Sequence, residues 1–395
     1  MLGNYRSLYQ TKGSLKISFA GLIARLPIAM DGLAILYVTL AAGKSYSLAG
    51  ALTGVAALTT VISSPIWAKI ADERGQGFVL RWAVLLRISA LLVFALVATA
   101  NMPIWIWFLT IIIAESASFS MGSFTRRRWT FILEGRAKDQ ISTAYAVESI
   151  LDEIVFILGP LVATTVATQI NPLSAIFAGI IFLAIGSQAL AWNRATEPIL
   201  SIDASKTKHK SILKNRHLQS VAIPLTIAGG YFSAITLVVV AYTKESGVAA
   251  TSGILLSLWA VGGASSVFVN GALRWTMSHG TRFILYTLGL GILSAALPFI
   301  SDIKVLGLML FLHGICIGPL LPNAIPVAEK SVPSEQMTQG ISLITAGIPL
   351  VGAISSFMTG QVIDLYGVKI SFWMPFFFMV LSVLSMFPYL RYYND

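Results

Sequence analysis

The stretch Glu148-Ser-Ile-Leu-Asp152-Glu153-Ile-Val-Phe-Ile-Leu-Gly159-Pro160 sets three carboxylates and a Gly-Pro pair inside a segment otherwise apolar enough to cross a bilayer. A charged side chain at mid-membrane costs roughly 2.5–3.5 kcal/mol on insertion scales, so such residues usually face a bundle interior or a watery cavity, paired or titrating. The stretch therefore reads as part of a membrane protein with a polar site, a candidate for proton handling, in its first half.

The rest of the chain fits that reading. Its 395 residues are 56% hydrophobic and 11% charged, against about 25% charged in soluble domains. That deficit, at this length, indicates an all-α polytopic membrane protein. The net charge of +10 could suggest nucleic acid. However, apolar spans separate the Lys and Arg residues and no aromatic-basic module appears, so no nucleic-acid partner is expected. The single cysteine, Cys316, excludes an intrachain disulfide and a cysteine metal cluster. No metal and no cofactor is expected. Residues 1–16 are polar, lack a cleavage site after a short apolar core, and read as a retained cytoplasmic tail.

Candidate spans fall at 17–41, 47–68, 79–100, 103–124, 141–168 and 172–192, then at 218–242, 248–271, 282–300, 304–328, 337–362 and 368–390. That pattern is twelve transmembrane helices with both ends on one side. One set of alternate loops carries Arg6, Lys12, Lys16, Lys69, Arg74, Arg81, the run Arg126-Arg127-Arg128, Arg194, Lys206 to Arg216, Arg274, Lys330 and Arg391; the other set holds only Lys44, Lys244, Lys304 and Lys369. The positive-inside rule puts the rich side, and both termini, in the cytoplasm of an inner membrane. The expected organisation is a tail (1–16), a six-helix half (17–192), a cytoplasmic central loop (193–217), a second six-helix half (218–390) and a short tail (391–395). Two six-helix halves around a midplane site are a known transporter plan.

With the layout in place, local motifs carry a resemblance. After the second span stands Ala68-Lys-Ile70-Ala71-Asp72-Glu73-Arg74-Gly75-Gln76-Gly77, which resembles the G-x-L-A-D-R-x-G-R-K loop of the major facilitator superfamily. Ala71, Asp72 and Gly75 match, and Ile70 is a conservative change. The arginine is displaced to Arg74, and Gln76-Gly77 replaces the basic pair. Gly159-Pro160 resembles the end of the antiporter signature of bacterial drug and metabolite efflux branches, without its upstream glycines. Gly360-Gln-Val-Ile-Asp364-Leu-Tyr-Gly367 is also similar to family sequence, on the outer side. The resemblance implies alternating access, a cavity lined by the first and fourth helix of each half with the second and fifth packed at the interface between halves, and a monomer as the default. It also implies that Asp72, with Arg74 and Gly75, gates by meeting the start of the eleventh helix at Pro333-Ser334-Glu335-Gln336, while Gly159 and Pro160 serve exchange.

The intramembrane charges are the site candidates. Arg25 and Asp31 lie on the first span, Glu115 on the fourth, and Glu148, Asp152 and Glu153 on the fifth. At 1.5 Å per residue, Arg25, Glu115 and Glu148 lie roughly 12–16 Å from the cytoplasmic end, Asp152 about 18 Å and Asp31 about 20 Å. Glu148 and Asp152 share a helix face, whereas Glu153 is turned about 140° away. The expected arrangement groups Arg25 with Glu115, Glu148 and Asp152, with Glu115 and Asp152 titrating and Arg25 as fixed counter-charge. The alternative is a static network that orients helices. Asp31 either gates the outer vestibule or is simply wetted. Arg87 is expected to snorkel from a peripheral third helix. His313, the only intramembrane histidine, either shares proton handling or packs.

The second half otherwise supplies Tyr231, Phe232, Trp259, Asn270 and Asn323, most simply packing residues, and Pro319, Pro322 and Pro326 suggest a bent or broken tenth helix. The leading function is proton-coupled efflux (antiport) of a small organic compound across the lipid bilayer. An uptake symporter or uniporter is the alternative, and a non-transporting sensor or scaffold ranks below both. No metal motif, nucleophile–base pair or phosphate loop points to an enzyme.

Overall fold

Among the described residues, twelve helical stretches are long and apolar enough to cross a membrane, from Ser14–Ala41 to Val368–Tyr392. The structure, a computed structural model, describes residues 7–135, 138–199, 215–330, 332 and 337–393. Its principal helices are α1 (Ser14–Ala41), α2 (Tyr46–Arg74), α3 (Gln76–Thr99), α4 (Ile104–Ser116), α5 (Met121–Ile132), α6 (Lys138–Gln169) and α7 (Ser174–Trp192). They continue as α8 (Arg216–Glu245), α9 (Thr251–Ala272), α10 (His279–Ala296), α11 (Ile303–Ile317), α12 (Leu320–Glu329), α13 (Met337–Tyr366), α14 (Val368–Ser371) and α15 (Trp373–Met386).

Side chains cap the free amides at some of the helix starts. Asn215 Oδ1 accepts from the backbone N–H groups of His217 (3.0 Å) and Leu218 (3.3 Å), and Asp302 Oδ1 accepts from those of Lys304 (2.6 Å) and Val305 (3.2 Å). Two crossings are built from broken helices. The fourth is α4 plus α5 and the tenth is α11 plus α12. The tenth breaks at Gly318-Pro319, where the proline series foretold it. The break in the fourth, over residues 117–120, has no proline or glycine to announce it. Backbone freed at mid-membrane must find partners inside the protein, and α2 supplies them. Ser63 Oγ–H lies 2.8 Å from the carbonyl of Glu115 and 3.1 Å from that of Ser118, and Trp67 Nε1–H donates to the carbonyl of Ser116 at 2.7 Å.

The chain divides into two compact units, residues 1–42 with 59–205, and residues 43–58 with 206–395. In the first unit α7 seats Gly186 against the backbone of Ala20 and Ala24 on α1. The second unit is held by equally close helix approaches. A Cβ on Gly229 of α8 would stand 2.1 Å from the carbonyl oxygen of Ile348 on α13, and one on Gly314 of α11 would stand 2.1 Å from that of Trp259 on α9. The opening turns of α2 also belong to this unit. There the Asp364 carboxylate, near the end of α13, accepts from the backbone N–H of Tyr46 (3.0 Å) and of Ser47 (2.8 Å) and from Ser47 Oγ–H (2.6 Å), an N-cap supplied from far along the chain.

Candidate functional site

Two charged clusters lie within the first unit. The first forms around Arg25 on α1, which is 1% exposed. Its Nη2 donates to Glu148 Oε2 and to Thr125 Oγ1, and its Nη1 donates to Asp152 Oδ1 at 3.0 Å. Glu148, fully buried on α6, also accepts from Thr125 Oγ–H and, at 2.8 Å, from Trp129 Nε1–H. Asp152, one turn along α6 and about a third exposed, also accepts from Arg126 Nη2 at 2.7 Å. Gly21 makes room on α1, since a Cβ there would stand 2.7 Å from Thr125 Cγ2. Two arginines thus face two carboxylates, and the charges balance. Glu153, on another side of α6, forms no ion pair among the described residues.

Glu115 is not part of that group, contrary to the expected arrangement. It sits at the end of α4 in a second cluster organised by Arg87 of α3, a residue expected to snorkel. Arg87 is instead buried: its Nη2 donates to Asp31 Oδ2 at 2.5 Å and to Glu115 Oε1 at 3.0 Å. Glu115 Oε2 further accepts from Thr60 Oγ–H at 2.9 Å and from Ser118 Oγ–H. Depth along the helix axis placed Glu115 level with Arg25, but depth says nothing of azimuth, and azimuth put Arg87 nearer. Asp31, taken as a vestibule or wetted residue, is a member of the same cluster. One arginine here serves two carboxylates.

The run Arg126-Arg127-Arg128, read from sequence as loop charge, is largely spent inside the first unit. Successive residues on a helix point about 100° apart, so each reaches a different neighbour. Arg126 meets Asp152. Arg127 Nη1 meets Asp72 Oδ1. Arg128, fully buried, donates from Nε to Gln76 Oε1 at 2.8 Å and from Nη1 to the carbonyl of Leu190 at 2.9 Å, tying down the end of α7. Sequence reasoning missed Thr125, Arg126, Trp129, Thr60 and Ser118 as members of the clusters. The i, i+4 spacing of Thr125 and Trp129, one helix face, was the signal available.

The gating candidates fall as follows. Asp72 is paired with Arg127, and the expected partner segment around Ser334 lies outside the described residues. Gly75 starts α3 with φ +87°, a conformation that a residue with a Cβ rarely adopts. Arg74 is exposed, with its guanidinium 5.2 Å from the Phe78 ring centre. Gly159 and Pro160, likened to the end of an antiporter signature, lie inside α6, which runs unbroken from Lys138 to Gln169. Gly159 serves packing there, because a Cβ would stand 2.5 Å from that of Ala29 on α1. His313 lies in the second unit, fully buried. Its Nδ1–H donates to the Met309 carbonyl at 2.6 Å, and its ring stacks on Tyr231.

The Major Facilitator Superfamily sequence model matches residues 272–394. No curated protein matches the chain in sequence. Solved structures resemble it closely in fold. A crystal structure of a mutant form of the nucleoside transporter NupG aligns with TM-score 0.76 at 14% identity, over 96% of this chain and 99% of that one. A POT family transporter in complex with a thioalcohol conjugated peptide aligns with TM-score 0.71 at 15% identity, over 98% and 96%. The human organic anion transporter MFSD10 (TETRAN) aligns with TM-score 0.60 at 14% identity, over 97% and 99%. The expected leaning toward drug-efflux branches gains nothing from these three. Residues 272–394 thus match the Major Facilitator Superfamily model, and the whole chain, with twelve helical stretches among the described residues long and apolar enough to cross a membrane, shares the fold of these solved transporters.

Proposed function

We propose that the chain is a proton-coupled secondary transporter of a small organic compound, and that the Asp31–Arg87–Glu115 cluster carries the proton. One observation supports this above the rest: a single guanidinium stands between two buried or half-buried carboxylates. With both acids ionised the cluster keeps one uncompensated negative charge in a low-dielectric setting, and a proton or a cationic group removes it. The Arg25 cluster is balanced, with two arginines for two acids, and its role in this reading is to hold α1, α5 and α6 together. Glu115 ends a broken helix, so a change in its charge is felt by backbone already free of regular helix.

Export remains the direction that Gly159-Pro160 favours by resemblance. Uptake is the second reading, supported by the likeness in fold to a nucleoside and a peptide transporter. Flux separates them. Purified protein in liposomes is given labelled uridine or dialanine, with pH gradients of either sign. Antiport accumulates substrate when the lumen is acidic, and symport when the outside is. Glu115→Gln is expected to keep substrate counterflow and lose gradient-driven accumulation. Full accumulation in Glu115→Gln would remove this cluster from the coupling mechanism.

A further inference from the structure

The second unit holds an aromatic cluster whose polar atoms are buried and have no partner. Tyr231 on α8 and His313 on α11 are both fully buried, with rings nearly parallel (8°) and centres 5.8 Å apart. Trp259 on α9 stands edge-on to Tyr231 at 6.0 Å and lies 5.6 Å from Phe232. Tyr231 Oη, Trp259 Nε1 and His313 Nε2 are all inaccessible, and none has a hydrogen-bond partner among the described residues. A buried polar atom left unpaired forfeits the hydrogen bonds it had in water and is costly. Three in one cluster are a substantial penalty for a packing motif, and apolar residues of the same shape would avoid it.

The hydrogen-bond roles are fixed by chemistry. The Met309 carbonyl can only accept, so His313 Nδ1 carries the proton and Nε2 of the neutral ring is an acceptor. The indole N–H of Trp259 can only donate, and the Tyr231 hydroxyl can donate. The cluster is held in place by the closest helix approach of this region: Gly314, next to His313, packs on the Trp259 carbonyl, and Gly262 packs on that of Phe311. It also lies just before the break at Gly318-Pro319. The fourth crossing breaks in the matching position of the first half, beside Glu115. Interrupted helices at corresponding places in the two halves are a pointer to a transporter's binding site.

We propose that Tyr231, Trp259 and His313 form a binding site for a neutral planar ring bearing a lactam edge. The ring's carbonyl accepts from Trp259 Nε1–H and Tyr231 Oη–H, its adjacent N–H donates to His313 Nε2, and its apolar face lies against the aromatic bed. This deepens the transport reading and rests on it, since the site would hold substrate. Binding is therefore measured with no gradient, where a failure of coupling leaves it untouched.

The test is calorimetric titration of the purified full-length protein in lipid nanodiscs with uracil, and with 1,3-dimethyluracil, which keeps the ring and carbonyls but lacks both N–H donors. Uracil is expected to bind roughly tenfold or more tightly than its dimethyl form, the effect of leaving one buried acceptor unpaired. His313→Phe is expected to abolish that discrimination, and Trp259→Phe to weaken both ligands. The wild-type ratio needs no variant, so misfolding of either mutant does not spoil the test. Equal binding of the two compounds, no binding of either, or unchanged discrimination in folded His313→Phe overturns the assignment.

Discussion

At the scale of single residues, the contrast between Glu148 and Asp152 shows how one helix face can hold two acids with different duties. Glu148 is enclosed, taking hydrogen bonds from Arg25, Thr125 and Trp129. Asp152 is about a third exposed and shared between Arg25 and Arg126. Removing one partner of a buried pair leaves an uncompensated charge and costs roughly 3–5 kcal/mol. Glu148→Gln is therefore expected to lower the thermal unfolding midpoint sharply. Asp152→Asn should lower it much less, because the buried Arg25 keeps Glu148 as its partner and water can reach the partly exposed Arg126. Pairing Glu148→Leu with Arg25→Met should recover part of the loss, since a packed apolar pair avoids the desolvation that an orphaned ion suffers. Equal midpoints for Glu148→Gln and Asp152→Asn would mean that burial does not separate the two acids. The sequence made the face-sharing of Glu148 and Asp152 readable through the helical period. It left the partners of Glu115 and Arg87 unreadable, because a depth estimate along each span carries no rotation about the helix axis.

At the scale of helices, legibility followed chemistry that is local. Twelve apolar spans and the break after Ile317 both lie in short windows of sequence. The break after Ser116 does not, because Ala-Ser-Phe-Ser at 117–120 contains no breaker and the helix yields to side chains of α2 that satisfy its free carbonyls. The crossing of α9 and α11 was equally hidden: glycines were visible in both helices, but only the structure shows which of them are needed. A Cβ on Gly314 would stand 2.1 Å from the Trp259 carbonyl oxygen, whereas one on Gly263 meets nothing nearer than 3.8 Å. Gly314→Ala is thus expected to cost about 1–3 kcal/mol through overpacking. Gly263→Ala should be neutral or slightly stabilising, as Ala is the better helix former. Thermal unfolding of the two variants in the same detergent checks the pair, and equal midpoints would mean that the helices separate freely at this crossing.

At the scale of the whole molecule, the charge pattern and the even number of crossings bear on orientation. An even count of crossings is expected to return the chain to the side it started from, and the asymmetry of Lys and Arg between the two sets of loops is expected to choose that side. Part of that asymmetry has a structural use, since Arg126, Arg127 and Arg128 are committed to partners in the first unit. The bias must therefore survive without them. It does, because Arg74, Arg81, Arg194, Arg274 and Arg391 stay on the rich side against Lys44, Lys244, Lys304 and Lys369 on the other. Cys316 is the only cysteine in the sequence, so a Cys316→Ala background allows a direct reading. Lys304 and Lys369 are exposed at one set of helix ends, and Arg74 and Arg194 at the other. In intact cells, an impermeant maleimide is expected to label Lys304→Cys and Lys369→Cys and to leave Arg74→Cys and Arg194→Cys untouched until the membrane is opened. The reverse pattern would invert the orientation, and labelling of all four in sealed cells would contradict the twelve-crossing topology itself.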